Sequence, residues 1–123
     1  ADLGGADLRG ADLTPIRDDF WAVLSAAPGE VPALIDALRA GRVDGSTYAG
    51  ECACLVGTIA KAHGCEYGEL PTLRPNASRP AERFFLGISA GDTPDTNQAS
   101  ALAVQWAEEW LTRMQAAFGP VAP

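Results

Sequence analysis

A short repeat at the start of the chain constrains the fold more than any other feature of the sequence. The tripeptide Ala-Asp-Leu recurs with a period of five residues, beginning at Ala1, Ala6 and Ala11. Each copy places a small Ala and a Leu inward, while the Asp and the last two positions face water or turn the chain. Such a unit cannot bury its hydrophobic row without stacked neighbours. The segment therefore needs further coils of the same kind, the following domain or another chain to pack against.

This A-D-L-x-x pattern resembles the pentapeptide-repeat family, whose repeats wind a right-handed, four-sided β-solenoid. The resemblance covers residues 1–14 and implies a short β-solenoid-like segment there. Family members that mimic DNA and block topoisomerases use a long rod of repeats, which this short segment does not supply. We therefore predict two unequal parts: a pentapeptide-repeat remnant over residues 1–14 and a helical domain over residues 15–123.

After the repeat, the apolar residues follow the spacing of α-helices. The first predicted helix carries Asp18 and Asp19 in its first turn, where the helix dipole favours anions, and it ends at residues 27–29. The second covers residues 31–39 and ends at Gly41, which has the place of a C-cap.

Three more helices are predicted further along the chain. One runs from Ser46 or Thr47 to Ala62, a short one begins at Pro80, and a long last one has Thr93 as its N-cap. The fold class that follows is mainly α: a compact bundle of about five helices, preceded by the short β-solenoid-like segment.

Four short sequence segments of the helical part are distinctive. They are VDGSTY at residues 43–48, CACLVGT at 52–58, RPAERFF at 79–85 and GDTP at 91–94. In these segments the chain resembles a domain found behind pentapeptide repeats in proteins of bacteriophages and prophages. The resemblance implies a phage-encoded protein in the cytoplasm of a bacterial host, and it implies no chemistry.

Composition excludes several classes of function. The chain has 16 acidic and nine basic residues among 123, for a formal charge of -7. It therefore offers no basic face to a nucleic acid. No apolar run approaches the roughly 18 residues of a membrane span. Three cysteines cannot form a complete disulfide framework, which favours a cytoplasmic protein. We expect no cofactor.

Three thiols and one imidazole lie within fourteen residues, at Cys52, Cys54, His63 and Cys65. Their number would satisfy a zinc site. However, a helix over this stretch turns Cys52 and Cys54 about 200° apart, so one metal ion could not bind both. The sequence therefore favours structural roles, and a zinc or thiol site requires that this stretch is not helical. We assign no catalytic residue.

Basic residues gather in one stretch of this acidic chain, at Arg74, Arg79 and Arg83, with Asn76 and Ser78 between them. The N-terminus of the short helix at residue 80 would add backbone N–H groups to the guanidinium groups. These residues form the candidate site for an anionic small molecule. The alternative is that the arginines pair with carboxylates of the chain itself.

Two groups of residues near the end of the chain, the tryptophans of the last helix and the polar residues just before it, each have two interpretations. Trp106 and Trp110 are expected to be core residues, and an exposed Trp106/Trp110 stripe would instead mark a face for self-association or a partner. Residues 92–97 are expected to cap the last helix, although their oxygens could also chelate calcium.

The sequence as a whole predicts a non-catalytic binding or interaction protein. Its partner would be a host or phage protein, or a second copy bound through the repeat segment or the tryptophan stripe. The alternative is a protein that binds or sequesters an anionic, nucleotide-like signal with its arginine cluster. A zinc or thiol enzyme is the third possibility.

Overall fold

Helices account for most of the chain in the computed structural model, which describes residues 12–47, 53–65, 69–70, 73, 76 and 78–119. The five α-helices of these residues confirm the prediction of a mainly α fold, and the repeats at residues 1–11 lie outside the described part. None of the described helices is long and apolar enough to cross a membrane. In chain order they are α1 (Thr14–Ala26), α2 (Val31–Arg39), α3 (Leu55–His63), α4 (Pro80–Phe85) and α5 (Gln98–Phe118), with one turn of 3-10 helix at Pro28–Glu30.

The core lies between all five described helices, and each of them contributes buried apolar side chains. Helix α2 packs on α3 and α5, and α1 packs on α4 and α5. The ring centroids of Phe20 in α1 and Phe85 in α4 are 5.5 Å apart, and those of Phe84 and Trp106 are 5.3 Å apart. Trp106 and Trp110 are only 6% and 3% exposed. Their interpretation as core residues is therefore confirmed, and the alternative of an exposed Trp106/Trp110 stripe is wrong for this fold.

Helix α1 begins at Thr14, slightly earlier than the sequence indicated. Its N-cap is Leu13, and proline is tolerated in the first turn, so the helix starts ahead of Pro15. Asp18 and Asp19 consequently lie in the second turn, and the prediction that they complement the helix dipole from the first turn is wrong.

Helix α3 begins much later than predicted, at Leu55. Before it, Ala53 forms an isolated parallel bridge with Val43, in which the Asp44 N–H donates to the Ala53 carbonyl at 2.9 Å. This bridge holds residue 53 in an extended conformation that a helix cannot share. Cys54 then becomes the N-cap, and its Sγ accepts a hydrogen bond at 3.5 Å from the N–H of Gly57, the third residue of the helix.

Helix α5 also begins later than predicted. Its N-cap is Asn97, whose Oδ1 accepts from the Ser100 N–H at 2.8 Å, so the prediction of Thr93 as N-cap is wrong. The Asn97 amide also donates to the Gly87 carbonyl at 2.8 Å and to Asp92 Oδ2 at 3.0 Å. Residues 92–97 therefore form a turn held by protein hydrogen bonds ahead of the helix.

Two loops are joined through glycines. Gly41, at the end of α2, has a φ of +73° and accepts a hydrogen bond from the Gly91 N–H at 2.8 Å. A Cβ at Gly41 would lie 3.1 Å from the Gly91 backbone. The predicted end of α2 at this glycine is confirmed, because only glycine adopts this conformation without strain.

Candidate functional site

The arginine cluster is built around a carboxylate that comes from α1. Arg79 donates from Nε to Asp19 Oδ1 at 3.1 Å, and the two side chains are 29% and 19% exposed. The second oxygen, Oδ2, accepts a hydrogen bond from the Ala81 N–H at 3.0 Å, in the first turn of α4. Asp19 thus lies where we expected an external anion, between a guanidinium group and a helix N-terminus.

A second carboxylate lies at the same corner and is almost fully buried. Glu82 is 6% exposed, and its Oε2 accepts a hydrogen bond from the Asn76 N–H at 2.8 Å. Burial raises the pKa of Glu82, and the negative charge of Asp19 adds to this effect. The hydrogen bond from Asn76 and the positive charge of Arg79 act in the opposite direction.

The polar residues between the arginines bond to the chain itself. Asn76 Oδ1 accepts from the Ser78 N–H at 2.9 Å, and the Asn76 carbonyl accepts from the Arg79 N–H at 3.0 Å. These bonds shape the turn that leads into α4. The amide oxygen of Asn76 and the backbone N–H of Ser78 are therefore engaged within the chain.

Only part of the predicted cluster comes together. Asn76 and Arg79 meet at the corner, whereas the side chain of Arg83 is exposed and forms no ion pair in the part of the chain that the structure describes. Arg74 lies outside the described residues. Of the two described arginines of the cluster, Arg79 is paired with Asp19, which leaves Arg83 as the one that can meet an external anion.

Sequence reasoning missed Asp19 as a member of this cluster. It is 60 residues from Arg79, and the only signal available was its place on the polar side of a predicted helix. The packing of α1 on α4 brings the two together. No local pattern reveals such a pairing.

The cysteine and histidine side chains do not form one cluster among the described residues. Cys54 and His63 lie at opposite ends of α3, about 13 Å apart along its axis at the usual rise per residue. His63 instead has its Nδ1 3.1 Å from Glu30 Oε1. No group of three metal-ligating residues occurs in the described ranges, and Cys52 lies outside them.

The chemistry of Cys54 is that of a buried thiol. The side chain is 4% exposed, and this burial raises its pKa, with a further contribution from the negative charge of Glu82. The hydrogen bond from Gly57 opposes the shift. A thiol with a raised pKa carries little thiolate at neutral pH and is a poor nucleophile.

Helix α5 presents a polar side to solvent, away from the core. An open groove of about 520 Å³ lies along it, and Glu108, one of its lining residues, forms an ion pair with Arg39 of α2. The groove is lined by Ala101, Val104, Gln105, Glu108, Glu109, Thr112 and Arg113.

Comparison of the chain with protein-family models, with curated proteins and with solved structures found no match.

Proposed function

We propose that this chain is a non-catalytic interaction protein, whose helical part anchors the A-D-L repeat segment and presents α5 to a protein partner. One observation carries the proposal. Leu13, the Leu of the third repeat, is the N-cap of α1 and packs against the hydrophobic core of the helices. The repeat therefore leads into the helical domain without an intervening linker.

The junction is held by more than this apolar contact. The Thr14 N–H donates to Asp12 Oδ1 at 3.1 Å, so the Asp of the third repeat accepts from the first residue of α1. The third copy thus supplies both a polar and an apolar contact to the start of the helix. This supports a role in which the helical domain covers the end of a repeat segment.

The outer side of α5 is the surface that we assign to the partner. It belongs to the longest of the described helices, and its groove is lined by polar, acidic and basic side chains together with Ala101 and Val104. The resemblance of residues 43–48, 52–58, 79–85 and 91–94 to a domain of phage and prophage proteins favours a host or phage protein as the partner, in the bacterial cytoplasm.

Site-specific photo-crosslinking in bacterial cells tests this assignment. A photoreactive residue replaces Gln105 or Thr112 in the groove, and a matched control replaces the exposed Asp36 of α2. We expect the same discrete adduct from both groove positions and none from the control. The substitution Glu109→Lys should weaken the adduct. Identical adducts from all three positions, or none from the groove, would contradict the proposal.

A second function, the binding of an anionic ligand by Arg74, Arg79 and Arg83, is supported by the exposed Arg83. A nucleotide titration followed by the thermal unfolding midpoint tests it, with Arg83→Gln as the control variant. A saturable rise in the midpoint that Arg83→Gln abolishes would support it, and an unchanged midpoint would exclude it.

A further inference from the structure

A groove between α2 and α3 combines space, positive charge and small apolar side chains. We propose that this groove binds a small organic anion, a carboxylate or a phosphate monoester with a short apolar body. The α2/α3 groove has a volume of about 310 Å³, near the lower end of the range for small-molecule sites. It is lined by Ala33, Ala37, Arg42, Ala53, Thr58, Lys61 and Ala62.

Backbone geometry fixes the mouth of the α2/α3 groove. The turn at Gly41 ends α2, and Arg42 follows it directly. The Arg42 carbonyl then accepts from the Ala53 N–H at 3.3 Å, next to the bridge between Val43 and Ala53. Main-chain hydrogen bonds therefore hold Arg42 beside the start of α3, while its side chain is exposed.

The charge of the groove is opposite to that of the chain. Arg42 and Lys61 line it, and no acidic residue is among its described lining residues, although acidic residues outnumber basic ones by 16 to nine in the whole sequence. Arg42 forms no ion pair within the described ranges. This contrasts with Arg79, whose charge is already met by Asp19.

The lining also indicates the kind of anion. A guanidinium group binds carboxylate or phosphate oxygens through two parallel hydrogen bonds. The four alanines leave the space open, and their methyl groups suit an apolar body better than a bare inorganic ion. Thr58 is 8% exposed, and its hydroxyl already donates to the Ala53 carbonyl at 2.9 Å, so the groove floor is polar only in part.

NMR titrations of backbone amides with phenyl phosphate, benzoate and inorganic phosphate test the proposal and separate the two headgroups. We expect saturable shifts at residues 37, 42, 53 and 61, with a Kd of about 1 mM or below for at least one organic anion. Inorganic phosphate should bind about tenfold more weakly than phenyl phosphate, because it makes no apolar contact.

Three variants control the experiment. Arg42→Gln should weaken binding about tenfold or more, and Ala62→Leu should block it by filling the groove, at an exposed helical position that tolerates leucine. Arg17→Gln removes the same charge from an arginine of α1 that lines neither groove, and it should leave binding unchanged. The proposal is overturned by shifts centred on residues 79–83, by equal losses in Arg42→Gln and Arg17→Gln, by equal affinity for inorganic phosphate, or by no saturable shift.

Discussion

The indole N–H of Trp21 donates a hydrogen bond to the main-chain carbonyl of Trp106 at 2.9 Å, and this bond joins α1 to α5. The guanidinium carbons of Arg17 and Arg113 lie 4.6 Å and 5.1 Å from the centroid of the Trp21 ring. Trp21 is thus a half-buried side chain with an apolar body, a satisfied donor and two neighbouring cations. Its substitution tests how firmly the first and last helices are joined.

Trp21→Phe should lower the free energy of unfolding by about 1–2 kcal/mol, because phenylalanine keeps an aromatic ring, although a smaller one, but loses the hydrogen bond and weakens both cation contacts. Urea unfolding measures the loss. Arg113→Gln is the control, since it removes one cation and keeps the hydrogen bond, and its effect should be smaller. Unfolding of Trp21→Phe at the wild-type midpoint would show that the bond contributes nothing.

Asp19→Asn should destabilise the protein by about 1–3 kcal/mol, because it removes the charge that pairs with Arg79 and leaves a neutral acceptor at the start of α4. Asp18→Asn is the matched control. Asp18 is paired with Arg17 at 3.2 Å, but its side chain is 60% exposed, so its removal should change stability by no more than about 0.5 kcal/mol. Equal effects of the two substitutions in chemical denaturation would contradict the structural role of Asp19.

Local signals explain which parts of this fold could be predicted from the sequence. The end of α2 at Gly41 and the start of α4 at Pro80 follow from the properties of single residues, and both are confirmed. The starts of α3 and α5 were misplaced because non-local bonds decide them. Ala53 is held by Val43, and Asn97 is held by Gly87.

In the candidate site, too, the features set by local sequence could be predicted, and those set by long-range packing could not. The arginines and the start of α4 were visible in the sequence, whereas the partner of Arg79 comes from another helix, 60 residues away. Spacing along the chain cannot reveal which acidic residue packing will bring to a cation. The α2/α3 groove was missed for a related reason, since Arg42 and Lys61 come to line one groove only through the bridge between Val43 and Ala53 and the packing of two helices.

From the raised pKa of Glu82 we predict an unusual dependence of protein stability on pH. Its pKa is raised in the folded protein, chiefly by burial, so it keeps its proton to a higher pH than in the unfolded chain. Between the ordinary and the raised pKa the folded state binds more protons, and the contribution of Glu82 to the free energy of unfolding falls as the pH rises.

Glu82→Gln removes this titration. We expect the stability of the wild type relative to Glu82→Gln to decrease as the pH rises through that window, and the variant to be at least as stable at neutral pH. Urea unfolding of both proteins across the acidic to neutral range measures the difference. A wild type that gains stability over the variant with rising pH would mean that the hydrogen bond from Asn76 and the charge of Arg79 outweigh burial.

We predict that any side chain at Gly45 has a large steric effect on stability. A Cβ at this position would lie 1.9 Å from the Phe85 carbonyl oxygen and 2.7 Å from the Leu86 nitrogen, both of which belong to the backbone. Gly45→Ala should therefore cost about 3 kcal/mol or more, since the loop must move off the end of α4.

Gly64→Ala provides the comparison for this steric effect. Gly64 has a φ of +88° with nothing within 4 Å of a Cβ, so the substitution should cost only about 1–2 kcal/mol of backbone strain. Thermal unfolding of both variants gives the two values. If Gly64→Ala proved the more damaging, the close approach of Gly45 to α4 would be wrong.

The thiol chemistry of Cys54 can be tested by iodoacetamide labelling of a variant that carries both Cys52→Ser and Cys65→Ser, so that Cys54 is its remaining cysteine. Burial and the nearby Glu82 raise the pKa of Cys54, so little thiolate forms at neutral pH, and the residue is only 4% exposed. We expect iodoacetamide to label this variant slowly, at a rate that rises sharply in urea, because labelling then requires opening of the fold. A variant that keeps only the half-buried Cys65 is the control and should react faster. Fast labelling of Cys54 in the folded protein would show an accessible, activated thiol and would revive the thiol-enzyme interpretation.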